Sequence, residues 1–363
     1  MLQKLAVVVL VVASFACVLS CGKTGNHFLY ATIPATNQIA VFREDPYSGV
    51  LTQLSESPYN VGSGPQSAAL HPSGKYLYVS NAGQGENDIS LFDINSDGTI
   101  TEVTPRTATG TLPFLLAMDP GGAFLYCANV LSNSLSVFSI SSSGSLTPLG
   151  NSPFTINLSP KNMQISPSGK FLFISAPSQV TGLVATFSLT AGVPAFVSLT
   201  STADNDPSGL AVSPNGSYLY TANSTANSVS IYSIGSSGAL TPVTGSPLSA
   251  NFQHPVAVTV DPKGAYLYVA DQGTSQGTTG GSSNIASFSI SSSTGFPAAV
   301  TDSPFASESE SSFVVLDPTG PYLFVGNQAS NAGVQAFGVS AGSLNTIASY
   351  SVGNTPSSIV ILQ

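Results

Sequence analysis

The sequence has a histidine at the start of one strand-like segment and an aspartate at the end of the next. His254 begins one segment with strand-like alternation, and Asp271 ends the next such segment. If the two segments are antiparallel neighbours, the start of one lies beside the end of the other. An imidazole that a carboxylate orients can act as a general base on water. The pair is therefore a candidate for catalysis, and two solvated polar side chains are the alternative interpretation.

Three further polar residues occupy comparable places. Lys161 and Asp206 stand at the starts of equivalent segments, and Gln66 lies in the phrase Gly-Pro-Gln-Ser at the start of another. A lysine ammonium can stabilise a developing oxyanion or hold an anionic group of a substrate. We therefore predict that Lys161, Asp206 and Gln66 face the same opening as His254 and contribute to substrate binding there.

An internal repeat supplies the elements that would position these residues. A phrase of Tyr or Phe, Leu, Tyr or Phe and two small or β-branched residues, often followed by Asn, occurs seven times. The copies start 48, 48, 47, 47, 48 and 56 residues apart, and the longest interval carries a polar insert at 273–283. This period is typical of the blades of a β-propeller. The copies occupy 28–33, 76–81, 124–129, 171–176, 218–223, 266–271 and 322–327.

Each repeat carries the signals of four strands. The aromatic strand is followed by an alternating strand, a Ser-Gly or Asp-Gly turn and a third short strand. A fourth strand precedes the next aromatic one and ends in a Pro-x-Gly turn. The last segment, 357–362, repeats this fourth strand and is expected to pair with 28–33. The sequence thus predicts an all-β fold, a seven-bladed β-propeller over residues 28–363 with four-stranded blades and one blade shared by the two termini.

Two columns of residues recur within the aromatic strands. The Tyr and Phe column, represented by Tyr78, alternates with Leu and is expected to pack between blades. An Asn column ends the strand in four copies. Asn tolerates the left-handed conformations of strand exits, which favours a structural role, but some of these residues are also candidates for ligand contact. The column consists of Asn81, Asn129, Asn223 and Asn327.

The phrases at 72–81 and 261–271 resemble those of the lactonase family of seven-bladed propellers, typified by bacterial 6-phosphogluconolactonase. They are also similar to surface-layer propeller repeats with a Tyr-Val-Thr-Asn signature. The resemblance implies that a sugar-type lactone is opened at one channel mouth by His, acidic and Arg residues. His254 would then be the base and Asp271 its orienting carboxylate. Of the phrases before the innermost strands, only Gln253-His254-Pro255 contains a His.

A second function remains open. Long loops rich in Ser, Thr and Asn are compatible with a non-catalytic propeller scaffold, a monomer that binds a protein or glycan partner at the cell envelope. The two hypotheses differ in partner, because the enzyme would bind a small lactone. Whether the side chains of His254, Asp271, Lys161 and Asp206 converge on one cavity discriminates between them.

The N-terminus has the features of a bacterial export signal. Residues 1–20 have a basic start and an apolar run that is too short to span a membrane comfortably. The sequence Val-Leu-Ser-Cys at 18–21 resembles a lipobox, which predicts lipidation of Cys21, a tether at 21–27 with His27 exposed, and a location at the outer membrane or facing the periplasm. An ordinary signal peptide is the alternative. Cys127 would then be the one free thiol, as a buried small hydrophobe.

Charge and motifs exclude several classes of function. The net charge is −9, and the eight basic residues are scattered, so nucleic acid binding is not supported. The segment 93–98 resembles the first half of an EF-hand loop, but Thr104 stands where the bidentate Glu is needed. We therefore predict no metal ion there. No nucleotide or dinucleotide fingerprint is present, and no cofactor is predicted.

Overall fold

The computed structural model describes residues 27–178, 180–202, 206–273, 283–308, 310–319, 321–328 and 333–363. The predicted signal peptide 1–20, Cys21, the tether up to residue 26 and the insert at 274–282 lie outside the described residues. Within the described ranges, no helix is long and apolar enough to cross a membrane. Strands and turns make up these ranges, which confirms the prediction of an all-β fold.

The strands form seven antiparallel sheets, which we call the closing blade and blades 1 to 6. The closing blade contains β1 (His27–Ile33), β2 (Gln38–Glu44), β3 (Leu51–Gln53), β4 (Tyr59–Asn60) and, from the other end of the chain, β31 (Ser358–Leu362). Blade 1 contains β5 (Pro65–Leu70), β6 (Tyr76–Asn81), β7 (Asp88–Ile94) and β8 (Ile100–Ala108). Blade 2 contains β9 (Pro113–Met118), β10 (Phe124–Asn129), β11 (Ser134–Ile140), β12 (Leu146–Pro148) and β13 (Phe154–Thr155).

The remaining four blades follow the same order. Blade 3 contains β14 (Asn162–Ile165), β15 (Phe171–Ala176), β16 (Leu183–Thr190) and β17 (Val193–Ser201). Blade 4 contains β18 (Pro207–Val212), β19 (Tyr218–Asn223), β20 (Ser228–Ile234) and β21 (Leu240–Pro242). Blade 5 contains β22 (Pro255–Val260), β23 (Tyr266–Asp271), β24 (Asn284–Ile290), β25 (Pro297–Ala299) and β26 (Phe305–Ala306). Blade 6 contains β27 (Ser311–Leu316), β28 (Tyr322–Asn327), β29 (Gly333–Ser340) and β30 (Ser343–Ser351).

The strand nearest the central axis is β31 in the closing blade and the first strand in each of blades 1 to 6. These innermost strands contact one another around the ring in the order β31, β5, β9, β14, β18, β22 and β27, and β27 returns to β31. The aromatic strand is second from the axis, and the alternating strand is third. Since every innermost strand runs in the same direction, all seven begin at one end of the channel, which we call the mouth. The prediction of a seven-bladed propeller is confirmed.

The aromatic strands form the core between blades. Tyr78 and its neighbour Leu77 are both fully buried, because both faces of the second strand are covered by adjacent blades. The Tyr78 hydroxyl donates a 2.7 Å hydrogen bond to the carbonyl of Gly144, which lies in a hairpin turn of the next blade. Tyr220 donates in the same way to Gly295, at 2.9 Å. The Tyr column and the Gly turn of the repeat therefore bind each other across the blade interface.

Glycine is required at these hairpin turns for two reasons. Gly98 has a φ of +86°, which side chains disfavour, and an added Cβ would lie 2.2 Å from the ring of Phe28. Phe28 belongs to the closing blade, so the turn of blade 1 packs directly on its neighbour. This packing also explains the sequence at 93–98, because a hairpin turn needs the same Asp-Gly pair as the start of a calcium loop.

A Ser-Pro pair interrupts the outer edge of four blades. In blade 2, the Ser152 hydroxyl accepts a 2.9 Å hydrogen bond from the N–H of Val137, and Ser246 accepts one from Ile231 in blade 4. The serine thus satisfies an N–H group of the third strand at the point where the outer strand breaks. The serines concerned are Ser57, Ser152, Ser246 and Ser303. This Ser-Pro pair was not among the features predicted from the sequence.

The two ends of the chain close the ring. β31 pairs with β1 from Thr32 opposite Ser358 to Phe28 opposite Leu362. The predicted pairing of the terminal strands is therefore confirmed. The prediction that His27 is exposed is wrong. β1 begins at His27 and pairs it with Glu44, and the side chain of His27 is buried.

Candidate active site at the channel mouth

Five of the seven innermost strands begin with a β-bulge. In blade 1, Pro65 pairs with Asn81 and Ser67 pairs with Ser80, so Gln66 is left out of the register. A bulge re-aims the side chain of its extra residue. The five extra residues all line one cavity at the mouth, and they are Gln66, Phe114, Ser208, Val256 and Ser312.

The cavity has a volume of about 590 Å³, within the usual range for small-molecule sites. Hydroxyl and amide side chains supply most of its polar groups. Besides the bulge residues, the polar lining includes Asn162, Gln328, Asn354, Thr355 and Ser357. Such a lining can donate and accept hydrogen bonds without charge, as the binding of a polyhydroxylated ligand requires. The structure thus places Gln66 at the mouth, as predicted from the repeat.

Lys161 and Asp206 form an ion pair at the edge of this cavity. The Lys161 Nζ lies 2.5 Å and 2.8 Å from the two carboxylate oxygens of Asp206, in the neighbouring blade. The pair is partly solvent-exposed, at 39% for the lysine side chain and 29% for the aspartate. The backbone N–H of Lys161 donates to the carbonyl of Ser175, which fixes the start of the innermost strand. Among the described residues that line the cavity, Lys161 alone is basic.

The structure does not bring His254 and Asp271 together as a hydrogen-bonded pair. His254 is exposed, and no ion pair or hydrogen bond joins its ring to Asp271 among the interactions of the described residues. The two carboxylate oxygens of Asp271 accept hydrogen bonds from the backbone N–H of Gln253, at 3.0 and 2.8 Å. Asp271 is buried within blade 5 and holds the loop that carries His254. Neither residue lines the cavity, and their catalytic role stays a prediction.

The backbone conformation explains why the His254 side chain does not line the cavity. His254 has a φ of +76°, and its N–H donates a 2.8 Å hydrogen bond to Asn227 Oδ1 in the preceding blade. Gly64 and Leu112 occupy the equivalent positions with positive φ and the same type of bond, to Asn37 and Asn87. The position is thus a turn that recurs between blades of this chain, and the following bulge turns Val256 instead of His254 toward the cavity.

The Asn column lies inside the blades and not in the cavity. Asn129 is fully buried, and its Nδ2 donates to Ser134 and Ser136 at 3.1 and 2.9 Å. Asn223 makes the same pair of bonds to Ser228 and Ser230. Asn81 and Asn327 are equally buried. The geometry supports the structural interpretation of the column, and ligand contact by these residues stays a prediction.

A second charged cluster, which was not predicted from the sequence, lies on blade 1. Arg106 Nε donates to Glu102 at 2.7 Å, and its Nη1 lies 3.2 Å from Glu86. Glu86 also accepts a 2.6 Å hydrogen bond from the N–H of Ser63, so the cluster fixes the loop before β5. None of these residues lines the cavity. No spacing in the sequence indicated this cluster.

Comparison with known proteins agrees with this architecture. The sequence profile of the lactonase family, described as a seven-bladed β-propeller, matches residues 23–158, 117–189, 153–250, 178–279 and 246–361. These ranges span nearly the whole chain. The chain belongs to the lactonase family. Membership accounts for the repeat phrases noted in the sequence, and the activity of this member is a separate question.

Individual relatives match this lactonase-family chain at low sequence identity or over only part of its length. A 6-phosphogluconolactonase of Yersinia enterocolitica is 26% identical over 238 residues, which cover 61% of this chain and 68% of that protein. A 6-phosphogluconolactonase of Formosa agariphila is 41% identical over 76 residues, but the match covers only 22% of its length and 20% of this chain. The crystal structure of a periplasmic gluconolactonase of Pseudomonas aeruginosa superimposes with a TM-score of 0.75 at 19% identity, covering 93% of this chain and 99% of that one. That superposition supports the fold.

Replacement of Asp271 by Asn should change how stability depends on pH. Burial raises the pKa of Asp271, although the N–H of Gln253 partly offsets this. The native carboxyl therefore holds its proton more tightly than the unfolded one, and its contribution to stability falls as the pH rises from the ordinary Asp pKa through the raised one. The Asp271→Asn protein lacks this fall. In urea unfolding measured across this pH range, the free energy of unfolding of the Asp271→Asn protein should therefore rise relative to that of the wild type.

Asp45 offers a control of opposite sign. The N–H groups of Tyr47 and Ser48 lower the pKa of this exposed carboxyl. Its contribution to stability is therefore present above the ordinary Asp pKa and is lost as the pH falls through the lowered value. The Asp45→Asn protein should lose stability relative to the wild type as the pH rises. If the free energies of unfolding of both variants changed in the same direction relative to the wild type as the pH rises, the opposite pKa shifts of Asp271 and Asp45 would be contradicted.

Proposed function

We propose that this chain hydrolyses a neutral, sugar-type lactone at the mouth of its central channel. The observation that carries the proposal is the Lys161–Asp206 ion pair at the edge of a polar cavity in a lactonase-family propeller. Its relatives are named as 6-phosphogluconolactonases and a gluconolactonase, which suggests a sugar lactone as the substrate class.

The ion pair can supply the two groups that ester hydrolysis requires. A water molecule attacks the lactone carbonyl carbon and passes a proton to the Asp206 carboxylate. The negative charge that develops on the carbonyl oxygen is stabilised by the Lys161 ammonium. When the tetrahedral intermediate collapses, the bond between the carbonyl carbon and the ring oxygen breaks. The proton then moves from Asp206 to the ring oxygen, which leaves a hydroxy acid.

The charge of the cavity favours a neutral substrate over a phosphorylated one. Recognition of a phosphate group usually requires several donors, with Arg or Lys prominent among them. Here the part of the lining that the structure describes contains one basic residue, and Asp206 already balances its charge. The amides of Gln66, Asn162 and Gln328 match the hydroxyl groups of an unphosphorylated sugar better than they match a dianion.

Hydrolysis of two lactones by the purified protein tests the proposal. Acid release from glucono-1,5-lactone and from its 6-phosphate is followed at constant pH, and the spontaneous rates are subtracted. We expect kcat/KM to be at least about 10-fold higher for the neutral lactone, because the cavity lacks a phosphate site. A preference for the phosphate would contradict the neutral substrate. Absence of enzyme-dependent hydrolysis of both would contradict catalysis and favour the scaffold that binds an envelope partner.

Export and lipid anchoring form a second part of the proposal. The apolar run before Cys21 and the Val-Leu-Ser-Cys phrase support processing as a lipoprotein of the cell envelope. A bacterial host expressing the full chain should incorporate labelled palmitate into the wild-type protein and not into the Cys21→Ala protein. Equal labelling of both proteins would contradict lipidation at Cys21.

A further inference from the structure

A buried cluster of three metal-ligand side chains lies far from the channel mouth. His27 and Glu44 pair across β1 and β2 of the closing blade, and Asp317 follows β27 of blade 6. Their exposed fractions are 4%, 1% and 0%. Two carboxylates and an imidazole buried together carry a large desolvation cost, which a cation bound between them would offset.

The donor atoms of this cluster are too far apart for hydrogen bonds and close enough for a shared ion. His27 Nδ1 lies 3.6 Å from Asp317 Oδ2 and 3.9 Å from Glu44 Oε2. All three donor atoms lie within 4.8 Å of one another. An ion at equal distances from these three atoms could lie within about 2.4 Å of each of them. A small movement of the three side chains toward the ion would shorten these distances to the 2.0–2.2 Å of zinc–nitrogen and zinc–oxygen bonds.

Two buried atoms aimed at this point have no hydrogen-bond partner among the residues that the structure describes. They are His27 Nδ1 and Asp317 Oδ2. The other oxygen of Asp317 is fully engaged, because Oδ1 accepts 3.0 Å bonds from the N–H of Thr319 and from Gln363 Nε2. Bonds of this kind orient a metal ligand and leave its second oxygen for the ion. The carboxylate is thus held with one free oxygen facing the imidazole.

We propose that His27, Glu44 and Asp317 bind a divalent transition-metal ion of the zinc type. Imidazole favours such ions over Mg²⁺ or Ca²⁺, which prefer a full oxygen shell. The ion would join the closing blade to blade 6, at the seam where the two ends of the chain meet. Its role would be structural, since binding to the folded protein alone stabilises the fold. The inference does not depend on the chemistry proposed at the mouth.

Zinc titration of the chelator-treated protein tests this site. Competition with a chromophoric chelator should give one tight Zn²⁺ ion per chain, and Zn²⁺ but not Mg²⁺ should raise the unfolding temperature. The variants His27→Gln and Asp317→Asn should weaken binding at least about 100-fold, as expected for the loss of one ligand. Far-UV circular dichroism checks that each variant is folded.

His71→Gln is the matched control. His71 lies in a Pro-x-Gly turn, where its ring nitrogens contact Ser73 Oγ at 2.7 Å and the Gly122 carbonyl at 3.0 Å. This variant should bind Zn²⁺ as the wild type does. Absence of tight binding by the wild type would overturn the proposal. Binding that both cluster variants retain while folded would also overturn it, because the ion would then be elsewhere.

Discussion

Removal of residues 357–363 should prevent the chain from folding into a stable monomer. The deletion takes away β31, which supplies the inner edge of the closing blade. Ile359 is buried against blade 6 and the closing blade, and Val360 and Leu362 pack toward blade 1. Lost burial of these three side chains and of the paired backbone costs about 10 kcal/mol, which is comparable to the whole stability of many domains.

The deletion also leaves an unpaired strand edge on β1. Such an edge is a template for association with other chains, so the truncated protein should aggregate or remain unfolded. Circular dichroism and size-exclusion chromatography check this outcome. Ile359→Ala is the matched control, because it keeps the strand and should lower the free energy of unfolding by about 2–5 kcal/mol with cooperative folding intact. A truncated monomer with the wild-type unfolding temperature would contradict closure of the ring by the terminal strand.

Replacement of Lys161 by Met should abolish most lactone hydrolysis without unfolding the protein. The substitution keeps the length of the side chain and removes the charge that faces the developing oxyanion. Loss of one such donor typically lowers kcat about 100-fold or more, which corresponds to about 2.7 kcal/mol. Because the ion pair is partly exposed, its loss should change the free energy of unfolding by less than about 1 kcal/mol. Steady-state kinetics with glucono-1,5-lactone check the expected fall.

Two further variants separate the roles within this site. Asp206→Asn keeps an oxygen that can accept from Lys161 but removes the base, so kcat should fall at least about 10-fold while KM changes little. Lys170→Met removes a lysine from an exposed turn at the opposite end of the channel and should leave hydrolysis unchanged. Wild-type kcat in the Lys161→Met protein, or a loss of activity in the Lys170→Met protein, would remove the basis for assigning catalysis to this ion pair.

The fold followed from the sequence because its signals are local and repeated. Each aromatic strand carries its own alternation, and each turn carries its own glycine, so seven copies reinforce one interpretation. The last segment matched the strand that precedes each aromatic strand, which was enough to predict how the ring closes. The Ser-Pro breaks were missed because they modify an outer strand without changing the number of strands in a blade.

The candidate site could be predicted from the sequence only in part, because a bulge shifts the side chains by one residue. Repeat alignment placed His254 at the start of an innermost strand, which is correct, but a regular strand was assumed. The bulge after Pro255 turns Val256 into the cavity and leaves His254 in an exposed turn. A Pro precedes four of the five bulges, at 65, 113, 207 and 255, and was the available signal. Alignment placed Gln66 and Lys161 correctly because both lie at the channel mouth in either geometry.

The cluster of His27, Glu44 and Asp317 had no signal in the sequence. Asp317 is separated from the other two by more than 270 residues, and only closure of the ring brings them together. His27 was expected to be exposed because it precedes the first repeat phrase. Pairing of β1 with β2 extends one residue further than that phrase and buries the imidazole.

Filling the cavity at the mouth tests most directly whether the function resides there. Ser312 lines the cavity at a bulge, and its hydroxyl donates a 3.0 Å hydrogen bond to the carbonyl of Gly326, so Ser312→Trp fills the space for the loss of this bond. Lys75→Trp places the same side chain on an exposed turn at the opposite end of the channel. We predict that kcat/KM for glucono-1,5-lactone falls at least about 100-fold in the first variant and stays within about twofold in the second. Equal hydrolysis by both folded variants would contradict a lactone site at the mouth.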